Sequence, residues 1–262
     1  MNKKAEKGEK VVNLKQGQNS ETVGRRKGIY LLPNLLTTGA LFAGFYAVLS
    51  GFSGKYELAA IAIFAAMVFD GLDGRVARMT NTQSDFGVQY DSLSDMVSFG
   101  VAPAVVAYGW GVSDLGTVGL ATAFVYASCA ALRLARFNVQ AESSSGKEFT
   151  GLPSPVAAAL VAGFVWSTYD MGGSLGLTVL GATLTAVSGL LMVSNFKYPS
   201  FKEVDMRGKV PFIVILSIAM GFVVITIDPP RILFMLAMIF SFSAPLIWLG
   251  KKLGLSGSSR SS

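Results

Sequence analysis

Residues 61–78 read IAIFAAMVFDGLDGRVAR, and residues 87–95, eight positions further on, read GVQYDSLSD. The apolar run from Ile61 to Phe69 passes without a break into Asp70 and Asp73. A stretch so apolar is expected to be a membrane helix, and charges set into one are costly and usually functional. Asp70 and Asp73 are three apart and share a helix face; Asp91 and Asp95 are four apart and share a face on the next helix. The short connection makes the two helices antiparallel neighbours. Four carboxylates can therefore converge near a membrane boundary. Gly71, Gly74 and Arg78 form a second stripe at i, i+3 and i+7.

The rest of the chain fits a bilayer. Of 262 residues, 52% are hydrophobic and only 15% charged, and the mean hydropathy is +0.51. Soluble domains carry about 25% charged residues. Eight segments approach the length needed to span: roughly 34–52, 56–79, 87–111, 115–138, 153–170, 173–194, 210–227 and 231–250. The third, with Gly100 and Pro103 inside it, is expected to bend. With the N-terminus in the cytoplasm, 20 of the 22 Lys and Arg fall on the inner side, leaving Lys55 and Arg231 outside. The expected fold is thus all-α, a polytopic membrane protein of about eight transmembrane helices with a cytoplasm-facing polar cavity and both termini cytoplasmic. Residues 1–27 read as a disordered basic cytoplasmic tail, 28–252 as one membrane domain and 253–262 as a flexible C-terminal tail. The basic balance, +6, reports topology rather than nucleic-acid binding.

Composition also limits the chemistry. There is no histidine, and the single cysteine, Cys129, rules out a disulfide framework or a cysteine metal site. Carboxylates, cations and hydroxyls must do the work. Bare carboxylates brought together repel, and hard divalent cations such as Mg²⁺ or Mn²⁺ resolve this with oxygen ligands; Ca²⁺ takes the same donors. Two such ions could flank a phosphoryl displacement. Gly71 and Gly74 remove side chains so that a nucleotide can approach the helix backbone, and Arg78 could bind a phosphate.

Residues Asp70 to Asp95 match, at every fixed position, the signature D-x2-D-G-x2-A-R-x8-G-x3-D-x3-D of the CDP-alcohol phosphotransferase family, which this chain resembles. The resemblance implies a helical membrane enzyme, often a homodimer. It implies that Asp70, Asp73 and Asp91 are metal ligands, and that Asp95 is the general base and a ligand of a second metal. It also implies that Gly71, Gly74, Ala77 and Arg78 line a CDP pocket. In many members a Pro-Asn pair at the start of the first spanning helix approaches the nucleotide. Pro33-Asn34, with Thr37, occupies that place here, although Pro33 equally suits a plain helix start.

Further stretches resemble the phosphatidylserine synthase branch: residues 90–95 running into Phe99 to Pro103, Leu132 to Asn138, Gly151 to Pro155 and Lys197 to Lys202. The implied reaction transfers a phosphatidyl group from CDP-diacylglycerol to L-serine at the cytoplasmic membrane, releasing CMP by direct displacement. Serine's carboxylate wants a cation. Arg133 and Arg136, with Asn138 just beyond, could hold it or a lipid phosphate, or could be ordinary positive-inside flanks. Lys147, Ser154 and Lys197 read as loop features. Two alternatives stay open: another alcohol (glycerol phosphate, inositol phosphate or choline), and a cation transporter.

Overall fold

In the computed structural model, residues 31–142, 150–171, 174–198, 220–221 and 223–253 are described. Both expected tails lie outside them, apart from Leu253, as does most of the seventh expected span and Lys147. The described residues are mostly helical, with no strand beyond one isolated bridge, Thr150 to Lys197.

Helix α1 covers Leu31–Phe52 and α2 covers Tyr56–Thr80. Asn81 ends α2 in the left-handed conformation, its N–H reaching back to the Ala77 and Arg78 carbonyls, as asparagine does at a helix C-terminus. Three residues later the Ser84 hydroxyl accepts the Gly87 N–H and starts α3, Asp85–Asp95. A π-helical turn, Met96–Val101, follows without a break, and α4 continues over Ala102–Trp110. The expected bend at Gly100 and Pro103 is thus a widening of a continuous helix. A 3₁₀ turn leads to α5, Thr117–Glu142. Helices α6 (Ser154–Thr168), α7 (Leu175–Val193) and α8 (Pro229–Lys252) follow, and residues 220–221 and 223–227 before α8 are helical too.

Among the described residues four helices are long and apolar enough to cross a membrane: Leu31–Phe52, Thr117–Gln140, Leu175–Val193 and Pro229–Gly250. Their outer faces carry large apolar side chains in the open, among them Phe42, Phe124, Leu180 and Ile239. A bilayer covers such surface. Helix α2 carries four charges in its last turns, and α6 has only 15 residues, short of the roughly 20 that span unaided. The helix α6 is apolar all round, with Ala157, Ala158, Leu160, Val161 and Ala162 buried, as befits the centre of a bundle.

Small residues set the close crossings, as membrane bundles require. A Cβ on Gly163 would lie 3.0 Å from the Phe234 Cα, and one on Gly189 3.0 Å from the Tyr126 Cα. The crossing nearest the acidic residues is tighter. A Cβ on Gly44 of α1 would collide with the Ser98 Oγ and lie 2.7 Å from the Ser98 Cα. The Ser94 and Ser98 hydroxyls there donate to the Thr37 and Ala40 carbonyls of α1, at 3.2 and 3.0 Å. Gly44→Ala must push these backbones apart. We expect a loss of roughly 1–3 kcal/mol, read as a lower Tm in detergent, whereas Gly54→Ala at the exposed turn, with no neighbour within 4 Å, costs only its positive φ.

Candidate active site

The two helices that carry the aspartates run in opposite directions from the Asn81–Ser84 turn, and this brings their charged faces together. Carboxylate oxygens of Asp70, Asp91 and Asp95 all lie within 4.8 Å of one another. Asp70 and Asp95 are close enough to share a hydrogen bond. Three half-buried carboxylates at this spacing repel strongly unless a cation or proton sits among them. An all-oxygen donor set with no histidine or thiolate suits Mg²⁺, Mn²⁺ or Ca²⁺ over zinc.

Asp73 is placed differently. It is 5% exposed, and its Oδ2 accepts the Thr37 hydroxyl at 2.6 Å, so it stands outside that group of three. Its charge still acts on both Asp70 and Asp91. Thr37, itself buried, also has the Pro33 carbonyl at 3.1 Å. The start of α1 therefore holds Asp73 in place. Asn34 lies nearby, its Oδ1 3.6 Å from where a Gly87 Cβ would stand. On α2, Gly71 and Gly74 face open space, with nothing within 4 Å of a Cβ on either. Ala77 is half-buried and Arg78 exposed on the same stretch.

The two arginines of α5 separate. The Arg133 guanidinium interacts with Asp95 and Asp70, and its NH1 donates to the Ser154 hydroxyl at 2.8 Å. Its Nε is buried with no partner among the described residues. Arg136 turns to the loops instead, donating to the Thr150 hydroxyl and, at 3.3 Å, to Asn195 Oδ1. It tacks the end of α5 onto a stitch formed by the Thr150–Lys197 bridge and the Gly151 N–H to Phe196 carbonyl bond. Asn138 also serves packing: its Oδ1 accepts from Ser92 at 3.1 Å and its Nδ2 donates to Gln89 at 3.4 Å, which ties α5 to α3.

Ser154 is a correction. Read as a loop feature, it is the first residue of α6 and fully buried. Pro155 beside it needs no N–H at a helix start, which leaves the Ser154 side chain free to meet Arg133. A Ser-Pro pair following Gly151-Leu-Pro153 signalled the helix start, but not the arginine across from it. A cavity of about 210 Å³ lies elsewhere, lined by Glu57, Trp166, Tyr169, Asp228 and Arg231. Glu57 opens α2 and Asp70 is 13 residues along it, about 20 Å away.

The family model of CDP-alcohol phosphatidyltransferase matches residues 30–243. A CDP-diacylglycerol–serine O-phosphatidyltransferase of Helicobacter pylori is 38% identical over 196 residues, covering 74% of this chain and 83% of the relative. One of the same name from Bacillus subtilis is 35% identical over 172 residues, covering 66% and 92%. An archaetidylserine synthase of Methanothermobacter thermautotrophicus is 36% identical over 170 residues, covering 64% and 69%. With its family match running from the start of α1 into α8, and with aspartates of two facing helices gathered at one point, the chain belongs to the CDP-alcohol phosphatidyltransferase family.

Proposed function

We propose that the protein transfers the phosphatidyl group of CDP-diacylglycerol to the hydroxyl of L-serine, giving phosphatidylserine and CMP. The observation that carries this reading is the placing of Arg133, a cation whose Nε–H has no partner among the described residues, beside a cluster of carboxylates. A zwitterionic amino-acid acceptor needs such a cation for its carboxylate. The names of the relatives point to the same acceptor.

Asp95 takes the serine hydroxyl proton as that oxygen attacks the lipid-linked phosphorus. One phosphorus–oxygen bond forms, the bond to CMP breaks, and CMP leaves with the electron pair. Asp70 and Asp91, with Asp95, would hold a divalent cation, with Asp73 as a further ligand kept in place by Thr37. When bound, that cation neutralises phosphate charge during the displacement. Gly71, Gly74 and Ala77 offer the open helix face for the cytidine, with Arg78 for a phosphate and Asn34 at the pocket's edge. Arg133 orients the serine carboxylate. Arg136 and Asn138 support the site through the loops and α3.

The same reading makes the enzyme a homodimer of the cytoplasmic membrane, with about eight spans, both termini inside and a polar cavity open to the cytoplasm. The charge distribution along the sequence supports the orientation. Membranes incubated with CDP-diacylglycerol, Mn²⁺ and each labelled alcohol in turn test the acceptor. Serine alone should enter lipid, and incorporation of glycerol phosphate, inositol phosphate or choline instead rejects serine. Arg133→Lys keeps a charge but loses the planar donor set. We expect its KM for serine to rise roughly 10-fold or more, with the KM for CDP-diacylglycerol little changed. An unchanged serine KM would remove Arg133 from acceptor binding.

A further inference from the structure

Tyr126 is fully buried in α5, its hydroxyl donates to the Phe99 carbonyl at 2.9 Å, and the reaction as described makes no use of it. Phe99 lies in the π-helical turn that begins immediately after Asp95. In a regular α-helix the Phe99 carbonyl would accept the N–H of residue 103. Residue 103 is proline, which has no N–H and whose ring presses on that same carbonyl. The helix widens instead, and the Ala102 N–H reaches back five residues to Val97. The Tyr126 hydroxyl supplies from a neighbouring helix the donor that Pro103 lacks.

The widening matters for where the aspartates point. A π turn inserts one residue, which rotates everything before it by about 100° relative to everything after it. The half after the turn is fixed in the core, with Ala102, Pro103, Ala104, Val106 and Ala107 buried. The half before it carries Asp91 and Asp95. In a continuous α-helix with α4 held as it is, these two would face about 100° away from their present direction. Both sides of the turn are clamped. Ser98 bonds to the Ala40 carbonyl of α1 on one side. On the other, Gly100 packs so close to α5 that a Cβ would lie 3.2 Å from Ala130. Tyr126, Ala130 and Arg133 fall at i, i+4 and i+7, on one face of α5. One helix face thus grips the wide turn and presents the cation to the carboxylates it aims.

We infer that Tyr126 is a positioning residue: by bonding the Phe99 carbonyl, whose partner in a regular α-helix would be the N–H that Pro103 lacks, it holds the wide turn that aims Asp91 and Asp95 at Asp70. The inference rests on Asp95 acting as the base. The variants are Tyr126→Phe, Pro103→Ala and the double variant, compared in detergent by Tm, by kcat and KM, and by Mn²⁺ binding followed by electron paramagnetic resonance. In Tyr126→Phe, kcat is expected to fall about tenfold or more and the Mn²⁺ Kd to rise several-fold, with the KM for CDP-diacylglycerol within about twofold. Adding Pro103→Ala restores an N–H for the carbonyl and lets the helix return to α geometry. The double variant should therefore recover Tm but neither kcat nor Mn²⁺ affinity. A purely structural hydroxyl predicts the opposite, recovery of activity along with Tm. That result, or wild-type kcat and Mn²⁺ Kd in Tyr126→Phe, overturns the inference. Should Tyr126→Phe fail to fold, the double variant carries the test: reduced kcat and Mn²⁺ affinity at wild-type Tm support the inference, and wild-type values overturn it. Asp95→Asn runs in parallel. Full activity there retires Asp95 as base, whereas an inactive Asp95→Asn beside a wild-type Tyr126→Phe retires only the positioning role.

Discussion

Asp95→Asn is expected to lower kcat for serine-dependent CMP release by about 10²- to 10⁴-fold. Asparagine keeps the shape of the side chain and its capacity for hydrogen bonds but takes no proton at neutral pH. The position is demanding in other respects too. Asp95 ends α3 at the mouth of the π turn, within hydrogen-bond reach of Asp70 and under the field of Arg133. Removing its charge relieves repulsion among the three carboxylates, so the fold should be undiminished and Tm equal to or above that of the wild type. A large loss of kcat with a retained Tm separates chemistry from stability. The KM for CDP-diacylglycerol should change much less, because the proposed nucleotide face lies on α2, at Gly71 and Gly74. Initial rates of CMP release from purified protein, with Tm measured on the same samples, decide the matter. Activity at the wild-type level would take Asp95 out of the role of base.

The gathering of carboxylates was legible because helix periodicity is local. Spacings of three and four put each pair on one face, and a short turn put the faces together. The distribution of apolar residues foretold the helices at 31–52, 117–140, 175–193 and 229–250 closely, again because membrane burial needs a continuous run. Three features were out of reach. Arg133 and Arg136 look alike in sequence, three apart on one helix, yet one faces the aspartates and the other a loop stitch. Their difference depends on where the ends of α6 and α7 come to rest, and no local pattern encodes that. Asp73 follows the same spacing rule as its neighbours, but it stands outside the group of three and its carboxylate accepts from a threonine 36 positions earlier. Pro103 announced an irregularity. Whether such a proline kinks or widens a helix depends on what meets the freed carbonyl, here Tyr126 from 27 residues away. In each case the decisive partner is distant in sequence, so periodicity and composition carry no trace of it.

Removing divalent metal is expected to stop the reaction altogether, and restoring Mn²⁺ or Mg²⁺ to recover it. Among the described residues no other group of histidine, cysteine or acidic side chains comes close enough to hold a metal ion, so the effect should trace to one place. The three oxygens within 4.8 Å of one another belong to half-buried aspartates, and their repulsion weakens the folded state until a cation joins them. Binding therefore has a consequence that needs no turnover. A ligand at 100 times its Kd adds about 2.7 kcal/mol to stability, which for a chain of this size raises Tm by roughly 5–10 °C. Chelated protein titrated with Mn²⁺ should show that rise in a saturable way, and Asp91→Asn should shift the midpoint to higher Mn²⁺ by about tenfold or more. Asp85→Asn, at the start of the same helix but exposed and outside the cluster, should leave the midpoint where it is. Calcium, with the same preference for oxygen donors, should raise Tm as well. Whether it also supports turnover depends on how firmly the aspartates hold their geometry, since Mg²⁺ demands near-octahedral ligands and Ca²⁺ accepts six to eight. A Tm indifferent to Mn²⁺, in protein shown to be free of metal, would mean that these aspartates hold no divalent ion and that their repulsion is relieved by shared protons alone.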